Sequence, residues 1–391
     1  MIPIRNVARS SVDFMKAGKG MVGFRGSLDV PYLVELNQGH DNNFNLIRVL
    51  AAVAVALSHS YLTVTGDPST RPLLTQTGFT IGYHAVNVFF VISGFLVTQS
   101  WMRSSSFTSF ATARGLRIYP GIVISTLFVT FIVGTAMTAL PATAYLTSPE
   151  TYLYLFLTAS LAEPSATLPG LFSGTPDAET VNGSLWTLRY EVICYVVLAV
   201  SGFLGILARP RLFAALAVPL GAGLFLLSLL PIAHDNTMVF GHFVRFGLCF
   251  GLGVIAYQYR SYIPIHWVGV VALVIVTTLA LGHAIYPFLL YATTAYATFW
   301  LAYVPSGRIR LFNKSGDYSY GIYIYAYPVQ QTLISLEPNL TPIQMFVATI
   351  AGSLPLAMAS WHLVEHPSLR WKRPLANLAM KVPGLLKRKK V

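Results

Sequence analysis

Charge is scarce in this chain. Only 10% of its 391 residues are Asp, Glu, Lys or Arg, against roughly 25% in an ordinary soluble domain. Cysteine is scarcer still. The two present, Cys194 and Cys249, both lie in apolar runs, which excludes a disulfide framework and a Cys-based metal site. They read as small buried apolar groups. A secretory signal peptide is also lacking, because residues 1–43 are mixed and polar without an apolar core segment. Hydrophobic length is abundant instead. Hydrophobic residues make up 54% of the chain, and apolar runs recur from residue 44 to residue 364. Each is about 20 residues long, enough for a helix to cross a ~30 Å hydrocarbon core. The pattern predicts an all-α, polytopic transmembrane helical bundle.

About ten spans are expected, at 44–64, 80–100, 118–140, 186–207, 212–231, 239–258, 266–282, 285–304, 318–336 and 343–364. With the N-terminus placed in the cytoplasm, 22 of the 26 basic residues fall in cytoplasmic segments. Arg71 alone falls in an outer loop, and Arg48, Arg189 and Arg245 fall within spans. This asymmetry predicts both termini inside. It also turns the net charge of +12 into a membrane signal rather than a nucleic-acid one. Residues 1–43 read as a cytoplasmic leader, 44–364 as the transmembrane domain and 365–391 as a basic cytoplasmic tail. In that tail Lys387–Lys390 suit anionic lipid. Residues 141–185 form a long, acidic outer loop. Its segment 150–163 is apolar but short, and counting it as a span would invert everything downstream, so it is expected to be interfacial or re-entrant.

A charge in hydrocarbon costs about 2.5–3.5 kcal/mol on insertion scales, so ionisable residues within spans are functional candidates. Arg48 lies one turn into span one, and Arg114 and Arg117 stand just before span three. The i,i+3 spacing puts those two on one helix face. Three guanidiniums near the cytoplasmic side can grip phosphate bidentately, although Arg114 and Arg117 also suit plain positive-inside anchoring. His59 lies near the outer end of span one and Glu191 near the outer start of span four, with Arg189, His84, His242 and Arg245 at a similar level. A histidine held by a carboxylate is the usual general base. Arg48 and His59 are eleven residues apart, so they return to within about 20° of the same face with a rise of ~16 Å. That separation suits a long ligand with a phosphate end and a reactive end, as in coenzyme A thioesters. The tyrosines of YSYGIYIYAYP (318–328) read as packing, and Gly94 as a close helix contact.

These pieces resemble the acyltransferase 3 family of bacterial membrane O-acyltransferases. Arg48 and His59 match its Arg–ten residues–His signature. VFFVISGFL, ARGLRIYP, SLWTLRYE, YSYGIYIYAYPV and HLVEHP then follow in the family's order between about residues 42 and 373. The chain departs from the pattern at Asn87, where many members carry Asp or Glu, and at Ala326, where many carry His. The resemblance implies transfer of an acyl group, usually acetyl, from cytoplasmic acyl-CoA to a carbohydrate hydroxyl on the outer side of the bacterial inner membrane. It makes His59 the essential histidine, assigns Arg48, Arg114 and Arg117 to the CoA phosphates, and makes Glu191 a supporting acid. A cell-surface or lipid-linked glycan would be the acceptor, and no metal is called for. Direct attack and an acyl-histidine intermediate are both open. The rival readings are a transporter of a lipid-linked sugar or anion and a sensor or scaffold. Nothing in the sequence sets an oligomeric state.

Overall fold

The computed structural model describes residues 30–39, 41–104, 106–178, 180–228, 239–314, 316–372 and 374–375. Most of the expected leader and the Lys387–Lys390 tail lie outside the described residues. Among the described residues the chain is all-helical, with only two isolated β-bridges.

Eleven helices matter here. They are α1 (Phe44–Thr65), α2 (Ile81–Arg103), α3 (Phe107–Phe128), α4 (Pro149–Ala159), α5 (Trp186–Phe203), α6 (Pro210–Ser228), α7 (Val239–Gln258), α8 (Trp267–Leu279), α9 (Tyr286–Tyr303), α10 (Ser319–Leu336) and α11 (Pro342–Ser360). A π-helical turn, Val129–Val133, carries α3 on to Met137, and another, Trp361–Glu365, follows α11. The ends are set locally. Thr80 and Ser106 accept the backbone N–H groups of Tyr83 and Ser109 to start α2 and α3, and Thr341 with Gln344 forms a capping box on α11. Gly66 ends α1 in the left-handed conformation, φ 67°, which costs glycine nothing.

Among the described residues, six helices are long and apolar enough to cross a membrane: α1, α2, Phe107–Met137, α5, Pro210–Leu227 and Pro342–Arg370. This is a multi-pass membrane protein. The four other expected spans are helical as well. However, α8 has only 13 residues, α9 and α10 are diluted by Tyr, Thr and Gln, and α7 abuts residues outside the description. Segment 150–163 contains α4, whose 11 residues rise ~16 Å, about half a hydrocarbon core.

The α1, α2 and α10 helices form the centre. α7 packs along α2, α10 packs against both α1 and α11, which also touch each other, and α8 pairs with α9. Directions follow from the contacts. Asp317, ahead of α10, pairs with Arg48 early in α1, and Gln330 later in α10 donates to the Ala56 carbonyl and to Ser60 Oγ of α1, so α1 and α10 run parallel. α2 runs the opposite way, from Gly82 beside Ser58 to Gln99, which donates to Asn37 ahead of α1. Gly94 and Gly253 let α2 and α7 touch backbone to backbone, because a Cβ on Gly94 would collide with the Phe250 carbonyl. Gly94→Val should therefore cost about 1–3 kcal/mol of stability through overpacking. It should lower the thermal midpoint in detergent, whereas Gly221→Ala, which meets open space, should leave it in place. Intrinsic fluorescence on heating checks both.

Candidate active site

Arg48, Arg114 and Arg117 converge on one cavity of about 110 Å³. Arg114 and Arg117 lie within α3, which starts eleven residues before the expected span, so their i,i+3 spacing does put them on one helix face. Arg48 comes from the second turn of α1. Asp317, two residues before α10, joins them. Its Oδ2 pairs with Arg48 at 2.9 Å and with Arg117, and its Oδ1 accepts from Ser319 Oγ at 2.5 Å. Glu365, 2% exposed, adds a second carboxylate 3.6 Å from Arg117 and accepts from Ser360 Oγ. Arg48 also donates to Asn45 Oδ1 at 2.6 Å. Arg114 is held differently. It reaches Ser100 Oγ at 3.5 Å and lies over the Tyr195 ring, with no ion pair among the described residues. The Nε groups of Arg48 and Arg114 are buried without an acceptor. The cavity therefore offers N–H groups that an anion can take.

Glu191 lines this same cavity, not the surroundings of His59. Its Oε1 accepts from Ser93 Oγ at 2.9 Å and from the Tyr195 hydroxyl at 2.5 Å. Ser93 follows Gly82 by eleven residues on α2, and Gly82 stands against Ser58, so Glu191 sits about 16 Å from the His59 end, level with Arg48. The expectation that Glu191 and His59 share a depth is thus corrected. The cause is the loop before α5, which enters the bundle rather than staying at its surface. Asn182 and Ser184 are buried, Asn182 Nδ2 donates to the Ile324 carbonyl at 2.8 Å, and Gly183 lies on the Tyr327 ring. α5 accordingly begins in the middle of the bundle, and its Thr187 meets the Tyr323 hydroxyl.

His59 stands on the unbroken α1 helix eleven residues beyond Arg48, about 16 Å along it. Its ring meets the Tyr327 ring edge-on, 5.0 Å between centroids. Its Nδ1 is buried without a hydrogen-bond partner. The Tyr327 hydroxyl donates to Asp177 of the outer loop. Phe89 and Tyr323, in mutual contact at 5.7 Å, stand at the level between His59 and the arginines.

The remaining outer-level candidates do not gather at His59. Arg189 donates to the Leu161 and Ala162 carbonyls and faces Glu163 at 3.5 Å, fastening the outer loop. Arg245 donates to Asn87 Oδ1 and to the Tyr83 carbonyl, both at 2.8 Å, and lies over the Tyr83 ring. His84 shares a hydrogen bond with Thr77, and His242 packs on Trp186. Sequence reasoning missed Asp317, Glu365, Tyr195 and Asp177. The available signals were an acid directly ahead of the tyrosine-rich run, and the acid inside HLVEHP. Both stand out in a chain with 14 carboxylates.

Removing one member of a buried ion pair while leaving its partners typically costs about 3 kcal/mol or more. Asp317→Asn should therefore lower the thermal midpoint sharply, and Asp317→Glu should lower it less. An unchanged midpoint for the Asn variant would show that Arg48 and Arg117 need no shared carboxylate.

Comparison with known proteins places the chain in a family. Residues 41–362 match the acyltransferase domain of the acyltransferase 3 family. The chain is 30% identical over 361 residues to an O-acetyl transferase of Shigella phage Sf6, covering 86% of this chain and 98% of the relative. It is also 30% identical over 392 residues to Nodulation protein 10 of Rhizobium leguminosarum bv. viciae, covering 89% and 98%. No solved structure matches the chain. A family match over most of its length, with the phage relative 30% identical, means that the chain belongs to the acyltransferase 3 family of membrane O-acyltransferases.

Proposed function

We propose that this enzyme moves an acyl group, acetyl by analogy with the phage relative's name, from cytoplasmic acyl-CoA to a hydroxyl of a cell-surface or lipid-linked glycan. In this reading it crosses the bacterial inner membrane ten times with both termini inside, as its basic residues favour.

The observation that carries the proposal is the separation of two chemistries along α1. Arg48 belongs to a cavity of guanidiniums with unused N–H groups. His59 stands about 16 Å farther along the same helix. A cavity of about 110 Å³ is well below the roughly 300 Å³ of a drug-sized site, so it suits the narrow arm of acyl-CoA and leaves the nucleotide at the rim. Arg114, which makes no ion pair among the described residues, is the guanidinium best placed to take a phosphate, and Arg48 lines the same cavity. Arg117 is committed to Asp317 and Glu365 and holds the wall. The thioester end points outward past Phe89 and Tyr323 towards His59.

His59 then takes the proton of the acceptor hydroxyl as its oxygen attacks the thioester carbonyl. The C–S bond breaks, the ester forms, and the CoA thiolate leaves and recovers the proton. No carboxylate hydrogen-bonds to His59 among the described residues, so the imidazole works as a base without a charged partner. Glu191, in the arginine cavity, serves the donor rather than the histidine.

General-base removal typically costs 10²–10⁴-fold. His59→Ala should therefore lower transfer from radiolabelled acetyl-CoA by about 10²-fold or more while keeping the thermal stabilisation given by CoA. Arg114→Ala should weaken that stabilisation. Near-normal transfer by His59→Ala in membranes refutes the mechanism, and absence of any CoA stabilisation of the wild type favours a transporter.

A further inference from the structure

Arg71 is the one basic residue that the sequence places in an outer loop, and it has no role in the donor cavity. It follows the short Pro68–Thr70 turn and is half-buried. Its Nε is enclosed without an acceptor, and the guanidinium makes no ion pair among the described residues. The surrounding geometry brings its turn towards the His59 end of α1. Gly66, where α1 ends, lies against Pro176, with only 3.0 Å from a Cβ position to the Pro176 carbonyl oxygen. This joins the Arg71 turn to the segment carrying Asp177. Asp177 accepts from the Tyr327 hydroxyl and from Thr180 Oγ1, and its backbone carbonyl accepts from Gln331 at 2.7 Å. Tyr327 in turn packs edge-on to His59. Arg71 lies within electrostatic reach of His59, Tyr327 and Asp177.

This group combines a guanidinium with unused donors, a carboxylate whose oxygens each have lone-pair capacity left, and a histidine with a bare ring nitrogen. Donors and acceptors gathered beside an aromatic ring form the arrangement that adjacent sugar hydroxyls satisfy. A buried guanidinium N–H left without a partner is costly, and a bound polyol removes that cost. We propose that Arg71, Asp177 and Tyr327 form the acceptor subsite, which binds a sugar through hydroxyls next to the one that His59 deprotonates. This rests on the acyl-transfer reading above and adds which residues select the acceptor.

The test uses the purified full chain in proteoliposomes, with radiolabelled acetyl-CoA as donor. The acceptor probe is the host's own surface polysaccharide, de-esterified with mild alkali. Arg71→Gln removes no ion pair or hydrogen bond among the described residues, so the variant should fold and keep its CoA stabilisation. Losing a charged hydrogen bond worth roughly 1.5–3 kcal/mol corresponds to a rise of about tenfold or more in half-saturating polysaccharide. Half-saturating acetyl-CoA should stay within about twofold. Asp177→Asn should shift the same constant in the same direction, and Arg71→Lys should recover only part of it. Polysaccharide half-saturation unchanged in both Arg71→Gln and Asp177→Asn overturns the proposal. So does an equal rise for acetyl-CoA, which would assign Arg71 to the donor. Absence of transfer by the wild type instead counts against the acyl-transfer reading itself.

Discussion

Two guanidiniums on different helices share one carboxylate. Arg48 of α1 and Arg117 of α3 both reach Asp317 at the foot of α10, and Glu365 closes the group from the far side of α11. Hydrocarbon penalises each of these charges alone, so the cluster is stable only when all its members are present. That requirement ties four helical segments together at one level of the bundle and gives the cavity its walls. It also divides the arginines by task. Arg117 is neutralised by the protein, whereas Arg114 and the Nε of Arg48 remain uncommitted. In the proposed reading, a site that takes an anionic donor and also survives without one needs both kinds of guanidinium.

α10 is the ruler against which the other elements are set. Tyr318 just ahead of it and three of its own tyrosines meet different parts of the chain. Tyr318 meets His362, Tyr320 donates to the Ile118 carbonyl, Tyr323 meets Thr187, and Tyr327 donates to Asp177. Each hydroxyl gains a partner that the membrane could not supply. Together they fix the heights of α3, α5 and the outer loop relative to the arginine and histidine levels on α1. The run that reads as aromatic packing in the sequence is packing with addresses, because a polar tip on an apolar body can choose its neighbour.

What the sequence makes legible is whatever depends on one helix. The Arg48–His59 relation follows from helical period alone, as does the shared face of Arg114 and Arg117, and α1 and α3 carry both unbroken. The close approach at Gly94 was legible for the same kind of local reason, although its partner Phe250 was not. Glu191 was misplaced because its depth was reckoned from the start of α5, and that start depends on a loop that dives inward to reach Ile324. Asp317 went unnoticed because its meaning lies in arginines two hundred or more positions away. Period and hydropathy carry no information about such partners.

The inward loop has a consequence for how the molecule is made. Asn182 is fastened to a carbonyl 142 residues later in the chain, and the carboxylate that Arg48 and Arg117 share comes from just ahead of the same late helix. During synthesis the early helices must therefore enter the membrane carrying arginines whose partner does not yet exist. The loop before α5 likewise has no floor to settle on until α10 arrives. The bundle is threaded early but keyed late, so a nascent chain halted before α10 would have its membrane crossings and no site.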